Sequence, residues 1–473
     1  MTFIYNAKLL DENLYSDGAI LINGGKIQKI FSGKIAVKED VFRVLNNEVS
    51  EKDLKELEFV DAEGLTVTPA FIDMHVHLRY PGQTEKEDLN SGLKAAISGG
   101  FCTVVAMPNT NPVVSSYDDA VKIEKEAEKI GHTKVFQTVS ITKDFDGKTT
   151  EHLNSVQKEN VPVITEDGHD VLSTSVMYDG MKVAAQKGLI VSCHCEDPSL
   201  AEKAKPYRQQ ALKLMKENSL SAWGADSESV EKVPAEVIKE IDGLLTTANH
   251  YLALAEDVAT YRNIQIAQQT GCRVHIAHCS TKRSLECVRQ AKIEIDQKLR
   301  SGITTDFKIS CEVTPHHIAL CGTDEPNIRA LVNPPLRSEE DRIAVIRAIK
   351  NGTADVISTD HAPHTLEDKA GGSPGFTGLE TSYAVCNTVL VKQNGISAQK
   401  LSRCMSAQPA RLLNLNKGLL QSGYDADLTF IAPDEKWTVH SSEFFSKGKA
   451  SPFEGMELCG KVHAVFIDGK KVY

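Results

Sequence analysis

The spacing of apolar and polar positions changes twice along the chain. From Thr2 to about Val67, short β-rich runs such as FIYNAKLL and GAILINGGKIQKIF alternate in character, and Gly24 and Gly25 suit a tight turn between two strands. The last segment has the same texture: DADLTFIAP, KWTVH and KVHAVFIDGKKVY read as strands joined by turns. Neither terminal piece is long enough to bury a good core alone, so the two are expected to pack on each other.

Between them lie eight apolar strand candidates, TPAFIDMHV, FCTVVAM, KVFQTVS, VPVITED, LIVSCHC, CRVHIAH, DFKISCEV and ADVISTD. Helix-like stretches such as SYDDAVKIEKEAEKIG and EEDRIAVIRAIKNG separate them. That alternation favours a closed parallel barrel over an open sheet. The expected architecture is a (β/α)8 TIM-like barrel over residues 68–418, with a small composite β-sandwich from residues 1–67 and 419–473. From about Ala201 to Gly243 the simple pattern gives way to a charged helix candidate, YRQQALKLMKEN, and then SAWGADSESVEKVPAE. Its polarity offers little to bury, so a polar surface or lid-side insertion is expected there.

Charge and cysteine usage narrow the partners. The 473 residues carry a formal net charge of -11 without a concentrated basic patch, which argues against nucleic acid and leaves room for a small anionic substrate held by one arginine. Eleven cysteines, an odd number with no secretory pattern, fit reduced thiols in the cytoplasm. Lys8, Asp11 and Glu12 interrupt the N-terminus, and no run approaches the roughly 18 apolar residues of a membrane span.

Candidate chemistry gathers at the strand ends. In DMHVHLR, period two puts His75 and His77 on one strand face, a geometry suited to two nitrogen ligands on one ion. Asp167 follows VPVIT, His194 follows LIVSC, His278 follows RVHIA and Asp360 follows DVIST. Singly, each has a bland explanation as a packed histidine or a capping acid. Jointly, six metal-capable groups at strand ends that share one barrel mouth indicate a metal centre. Cys193, Cys195 and Cys279 adjoin these histidines on the opposite strand parity and are expected to be buried against helices. His275 is likewise expected to pack, or to support a ligand. Nitrogen and oxygen ligands suit zinc and admit manganese, cobalt or iron. With two ions, Asp167 could bridge, His75, His77 and Asp360 could surround one, and His194 and His278 the other. Asp360 could also take a proton from the attacking oxygen and pass it to a departing nitrogen.

The motifs FIDMHVHLRYPG, MPNT, ITEDG, HCEDPSL, HIAHCST, EVTPHH, NPPLR, TDHAPH, GLET, KGKASPFEG and GKVHAVFIDGK, in this order, resemble class I dihydroorotases of the amidohydrolase superfamily. The resemblance covers nearly the whole chain outside residues 201–243. It implies reversible hydrolysis of the cyclic amide of dihydroorotate to N-carbamoyl-L-aspartate in de novo pyrimidine synthesis. It also implies the same six ligands, one or two divalent ions with zinc expected, and proton transfer by Asp360. Arg79, two positions after His77, can face the same mouth and grip a carboxylate; a surface salt bridge is the bland alternative. The resemblance adds Asn109 and His364 as carboxylate contacts and Asn333 as a ring contact, with Pro334 and Pro335 restricting that loop. It places the loop containing Gly372 and Gly375 near the ring. His361 is left between orienting Asp360 and local packing. Glu166 departs from the aspartate usual beside Asp167, which puts the surroundings of the bridge in question.

Two other readings stay open. One is a hydantoinase, dihydropyrimidinase or allantoinase, although relatives of that kind commonly bridge two metals with a carboxylated lysine and VPVITED offers none. The other is a non-catalytic structural partner of a carbamoyltransferase, which the complete ligand set disfavours. A homodimer is expected by analogy.

Overall fold

A computed structural model describes residues 1–45, 48–220, 232–322 and 331–473. The chain opens with β1 (Thr2–Leu10), β2 (Tyr15–Asn23) and β3 (Lys26–Ser32), an antiparallel meander whose second turn is the Gly24–Gly25 pair. Both glycines have positive φ, 56° and 76°, as the tight hairpin twist requires. The helices Lys38–Leu45 and Glu51–Lys55 interrupt what the sequence suggests is an all-β segment, before β4 (Glu58–Asp61) and β5 (Thr66–Pro69) pair with β1.

One residue after β5 the barrel begins. Its staves are β6 (Phe71–Val76), β7 (Phe101–Ala106), β8 (Lys134–Gln137) running into β9 (Val139–Ser140), β10 (Val163–Thr165), β11 (Ile190–Cys193), β12 (Arg273–Ile276), β13 (Lys308–Val313) and β14 (Val356–Ile357). All eight coincide with the expected runs. Neighbours pair in parallel throughout, β8 against β7 and β9 against β10. The barrel closes where Val76 pairs with His361, with His77 N–H donating to His361 O at 2.8 Å. Strands buried on both faces explain the continuous apolar runs, as in β7, where all six residues are buried. Surrounding helices are delimited by side-chain caps. Ser116 caps the helix Tyr117–Ile130, which ends at Gly131 with φ 79°.

After the barrel, β15 (Leu428–Thr438), β16 (Glu457–Ile467) and β17 (Lys470–Lys471) join the N-terminal strands in one mixed sheet, ordered β17-β16-β15-β5-β1-β2-β3 with β4 on β1. This is the composite β-sandwich domain. DADLTFIAP and KWTVH are one strand, interrupted by a register shift between Ala432 and Lys436 that accommodates Pro433.

Of the expected polar insertion, residues 221–231 lie outside the described residues. The helix Pro198–Glu217 buries Ala204, Ala211 and Met215 at helical spacing against the helix Ala235–Thr270, Ala204 with Ala248 and Leu252, and Ala211 and Met215 in an apolar cluster with Leu220, Ile241, Leu245 and Leu331. The charged residues between them hide that stripe from a composition-based reading.

Candidate active site

The six candidate ligands converge. His75 lies within β6, and His77, Asp167, His194, His278 and Asp360 follow the ends of β6, β10, β11, β12 and β14, so the parallel barrel brings all of them to one mouth. Two overlapping groups, His75 with Asp167 and His278, and His75 with His77 and Asp360, place their donor atoms within 4.8 Å of one another. Asp167 Oδ1 is 3.2 Å from His75 Nε2 and 3.2 Å from His194 Nδ1, and its Oδ2 is 3.5 Å from His77 Nε2. Asp360 Oδ1 is 3.2 Å from His77 Nε2 and 3.6 Å from His75 Nε2. His194 Nδ1 and His278 Nε2 face each other at 3.0 Å. All six side chains are buried.

These residues fit a divalent ion. His75 Nδ1 is bound to Glu312, and His75 Nε2 is a buried atom without a hydrogen-bond partner, aimed at the cluster. Four imidazoles and two carboxylates converge without thiolate, a donor set for zinc or a neighbouring first-row metal. Burial opposes the charge of Asp167, but His75, His194 and His278 outweigh it and hold its carboxyl well below the usual range. Burial likewise opposes ionisation of Asp360, yet His77, His75 and His278 hold it at about 2, so it stands ionised at neutral pH. A buried metal-binding His/Asp cluster is therefore present.

Behind the ligands lies a layer that the sequence reading largely missed. Glu312, on β13 and fully buried, binds His75 Nδ1 through Oε1 at 2.8 Å and His275 Nε2 through Oε2 at 3.1 Å, and it accepts from Ser358 Oγ at 2.6 Å. His275 thus supports His75 through Glu312. A buried acid in the apolar run KISCEV is the one signal that could have marked it. Asn109 Oδ1 is 2.9 Å from His77 Nδ1, and Asn109 Nδ2 donates to Asp167 Oδ2 at 3.4 Å, so this side chain orients ligands as well as lining the cleft. Glu166 turns aside to accept from Thr142 N at 2.8 Å and from Thr142 Oγ1, and its extra methylene leaves Asp167 in place. His361 also points elsewhere, with Nε2 3.4 Å from Glu87 Oε2 and Nδ1 accepting from Gly378 N at 3.2 Å. Cys193, Cys195 and Cys279 are buried in the core around the barrel, where Cys195 Sγ accepts from Asn263 on the helix Ala235–Thr270.

The ligands open on a cleft of about 220 Å³ that Arg79, Asn109, Asn333 and His364 line together with Ser373, Pro374 and Gly375. Arg79 is 8% exposed, donates to Pro363 O at 3.1 Å and touches His364 Nε2 at 3.1 Å; no described carboxylate pairs with it. His364 Nε2 lies 2.9 Å from Pro374 O; burial and the charge of Arg79 hold its ring at about 3, neutral. Arg79, His278 and Asp360 have positive φ of 56°, 30° and 50°, a cost of roughly 1 kcal/mol or more each that concentrates at this mouth. Gly375, with φ 117°, has no room for a side chain, since a Cβ would sit 2.8 Å from Ala362 Cβ. A larger cavity of about 440 Å³ beside Tyr383 and Ser402 holds no metal-capable cluster among the described residues.

A parallel eight-stranded barrel with a His/Asp cluster at its C-terminal mouth defines a metal-dependent hydrolase of the amidohydrolase class, and a profile of the amidohydrolase family matches residues 66–472. The chain is 38% identical over 444 residues to a dihydroorotase of Clostridium botulinum, covering 94% of this chain and 96% of that one. It is 34% identical over 478 residues to a dihydroorotase of Aquifex aeolicus, covering 99% and 98%. The chain belongs to the dihydroorotase family of amidohydrolases. Among solved structures, an L-hydantoinase (dihydropyrimidinase) from Arthrobacter aurescens superposes with a TM-score of 0.78 at 23% identity, over 100% of this chain and 95% of that one, and so shares the fold.

Proposed function

We propose that the protein hydrolyses the cyclic amide of dihydroorotate to N-carbamoyl-L-aspartate, reversibly, with His75, His77, Asp167, His194, His278 and Asp360 holding one or two zinc ions. The observation that carries the substrate choice is Arg79: a buried guanidinium beside the metal cluster, with no carboxylate partner among the described residues, calls for an anionic ligand. Dihydroorotate carries a carboxylate on its ring and hydantoin does not. Dihydroorotases at 34–38% identity over nearly the whole chain support the same substrate.

A divalent ion at this cluster supplies polarisation of the ring carbonyl and lowers the pKa of water. The chain's own residues do the rest. Arg79 and His364 hold the ring carboxylate, Asn109 completes that grip, and Asn333 with the Ser373–Gly375 backbone reads the ring. Asp360 Oδ1 accepts a proton from the attacking water as its oxygen bonds to the carbonyl carbon. The same proton passes to the ring nitrogen as the C–N bond breaks, and the reverse sequence closes the ring. Eleven cysteines, with none of the described ones paired, support a reducing, cytoplasmic setting.

Metal-depleted protein should be inactive on dihydroorotate and regain turnover with zinc. At matched metal loading, dihydroorotate should be turned over in preference to hydantoin. A preference for hydantoin would sink the substrate assignment, and turnover untouched by chelation would sink the metal assignment.

A further inference from the structure

The helix Pro198–Glu217 packs behind the cleft, against the Asn333 loop and the 372–375 loop. Arg208, in the middle of that helix, donates from Nη1 to Asn333 Oδ1 at 2.6 Å and from Nη2 to Val332 O at 3.3 Å. One helical turn further on, Leu212 fills the space above Gly372, where a Cβ would fall 2.5 Å from Leu212 Cδ1. The helix is fixed in turn by its apolar face and by Tyr207, stacked on Tyr251 at 6.0 Å. No described carboxylate forms an ion pair with Arg208, and its Nε is buried without a partner. A charge held this way does little for the stability of the fold, because Arg208 is half-buried and no ion pair offsets its partial desolvation.

What the arrangement does is orient an amide. A guanidinium has donors only, so it fixes which end of Asn333 turns toward it. Oδ1 is committed to Arg208, while Asn333 Nδ2 donates to no described residue and Asn333 lines the cleft. We propose that Arg208 is a positioning residue for substrate selection: by holding Asn333 Oδ1 it presents Nδ2 as a donor, so that this wall takes a ring carbonyl oxygen and rejects a ring edge bearing N–H. The helix that reads from sequence as part of a polar surface or lid-side insertion thereby belongs to the recognition apparatus. The inference deepens the reading of the site as one for a cyclic ureide and rests on it.

The experiment is a double-mutant cycle of Arg208→Met and Asn333→Ala, with kcat and KM measured separately. Methionine keeps the unbranched stem that packs on the helix surface. Wild-type protein is assayed first on dihydroorotate and on hydantoin, which decides the substrate, and the cycle is then run on whichever ring is turned over. A hydantoin-only enzyme would therefore refute the substrate assignment while the coupling was still decided. Arg208→Met should lower kcat/KM by about 10- to 100-fold, mainly through KM, at unchanged metal content. Arg208→Lys, which keeps a donor-only head, should recover part of the loss. In the Asn333→Ala background the Arg208→Met change should add less than about twofold, since its route is already gone. An undiminished loss in that background, or no loss in the single variant, would overturn the proposal.

Discussion

Glu312 Oε1 lies 2.8 Å from His75 Nδ1, with both side chains buried, and the second carboxylate oxygen holds His275. This bond fixes the tautomer of His75 so that its Nε2 lone pair faces the metal cluster, and it makes that nitrogen more basic. Burial opposes the charge of Glu312, but His275 and His75 keep its carboxyl well below the usual range. Glu312→Ala should therefore weaken metal binding by about 10- to 100-fold. Titration of apo-protein with zinc, followed by activity at saturating metal, checks this: excess zinc should restore much of the turnover. Wild-type metal affinity in the variant would remove Glu312 from this role.

Arg79→Ala should cost the binding of a carboxylated ring about 3 kcal/mol, roughly a hundredfold in kcat/KM, because a charge-assisted pair in a buried cleft is lost. Hydrolysis of an uncharged cyclic amide should suffer far less. The ratio of the two kcat/KM values, measured for wild type and variant, is the readout, and an unchanged ratio would remove Arg79 from carboxylate recognition.

Lys369 is 1% exposed and its ammonium donates to Leu331 O at 3.0 Å, Ser373 O at 2.7 Å and Gly375 O at 2.7 Å. It ties the segment before Asn333 to the loop that lines the cleft. Lys369→Met keeps the bulk but strips Ser373 O and Gly375 O of this donor, at a cost of about 1–3 kcal/mol for each one left unsatisfied, while Leu331 O still accepts from Gly375 N. A lower thermal midpoint and a raised KM are expected together. Amide hydrogen exchange across residues 371–376 should accelerate, and unchanged exchange there would rule out the clamp.

Burial raises the Glu124 carboxyl from 4.5 to about 7, despite hydrogen bonds from Gln137 N and Asn160. Between those two values the folded protein holds a proton that the unfolded chain has released. Stability from this group is thus present below pH 4.5 and is lost as pH rises through 7. Glu124→Gln removes that dependence. The thermal midpoint of the variant, relative to wild type, should rise between pH 5 and pH 8, and a constant difference would contradict the raised carboxyl.

The strands were legible because each is a short apolar run buried on both faces and bounded by polar helix starts. The convergence of the candidate ligands was legible because parallel strands deliver their C-terminal ends to one place, so position along each strand already implies proximity. The packing of the helix Pro198–Glu217 was not legible because its three buried residues, Ala204, Ala211 and Met215, are scattered among charged ones. Glu312 was overlooked because nothing in its own strand reveals that His75 and His275, 237 and 37 residues away, meet its two oxygens.

By itself, then, the sequence determined the barrel, the paired terminal β segments and the residues at the mouth, since hydrophobic period and strand order are local properties that parallel closure converts into a shared site. Tertiary structure alone decided which nitrogen of each histidine faces the cluster, that Glu166 and His361 turn away, and that Arg208 reaches Asn333. Those outcomes depend on hydrogen bonds between segments far apart in the chain, whose geometry exists only once the barrel has closed.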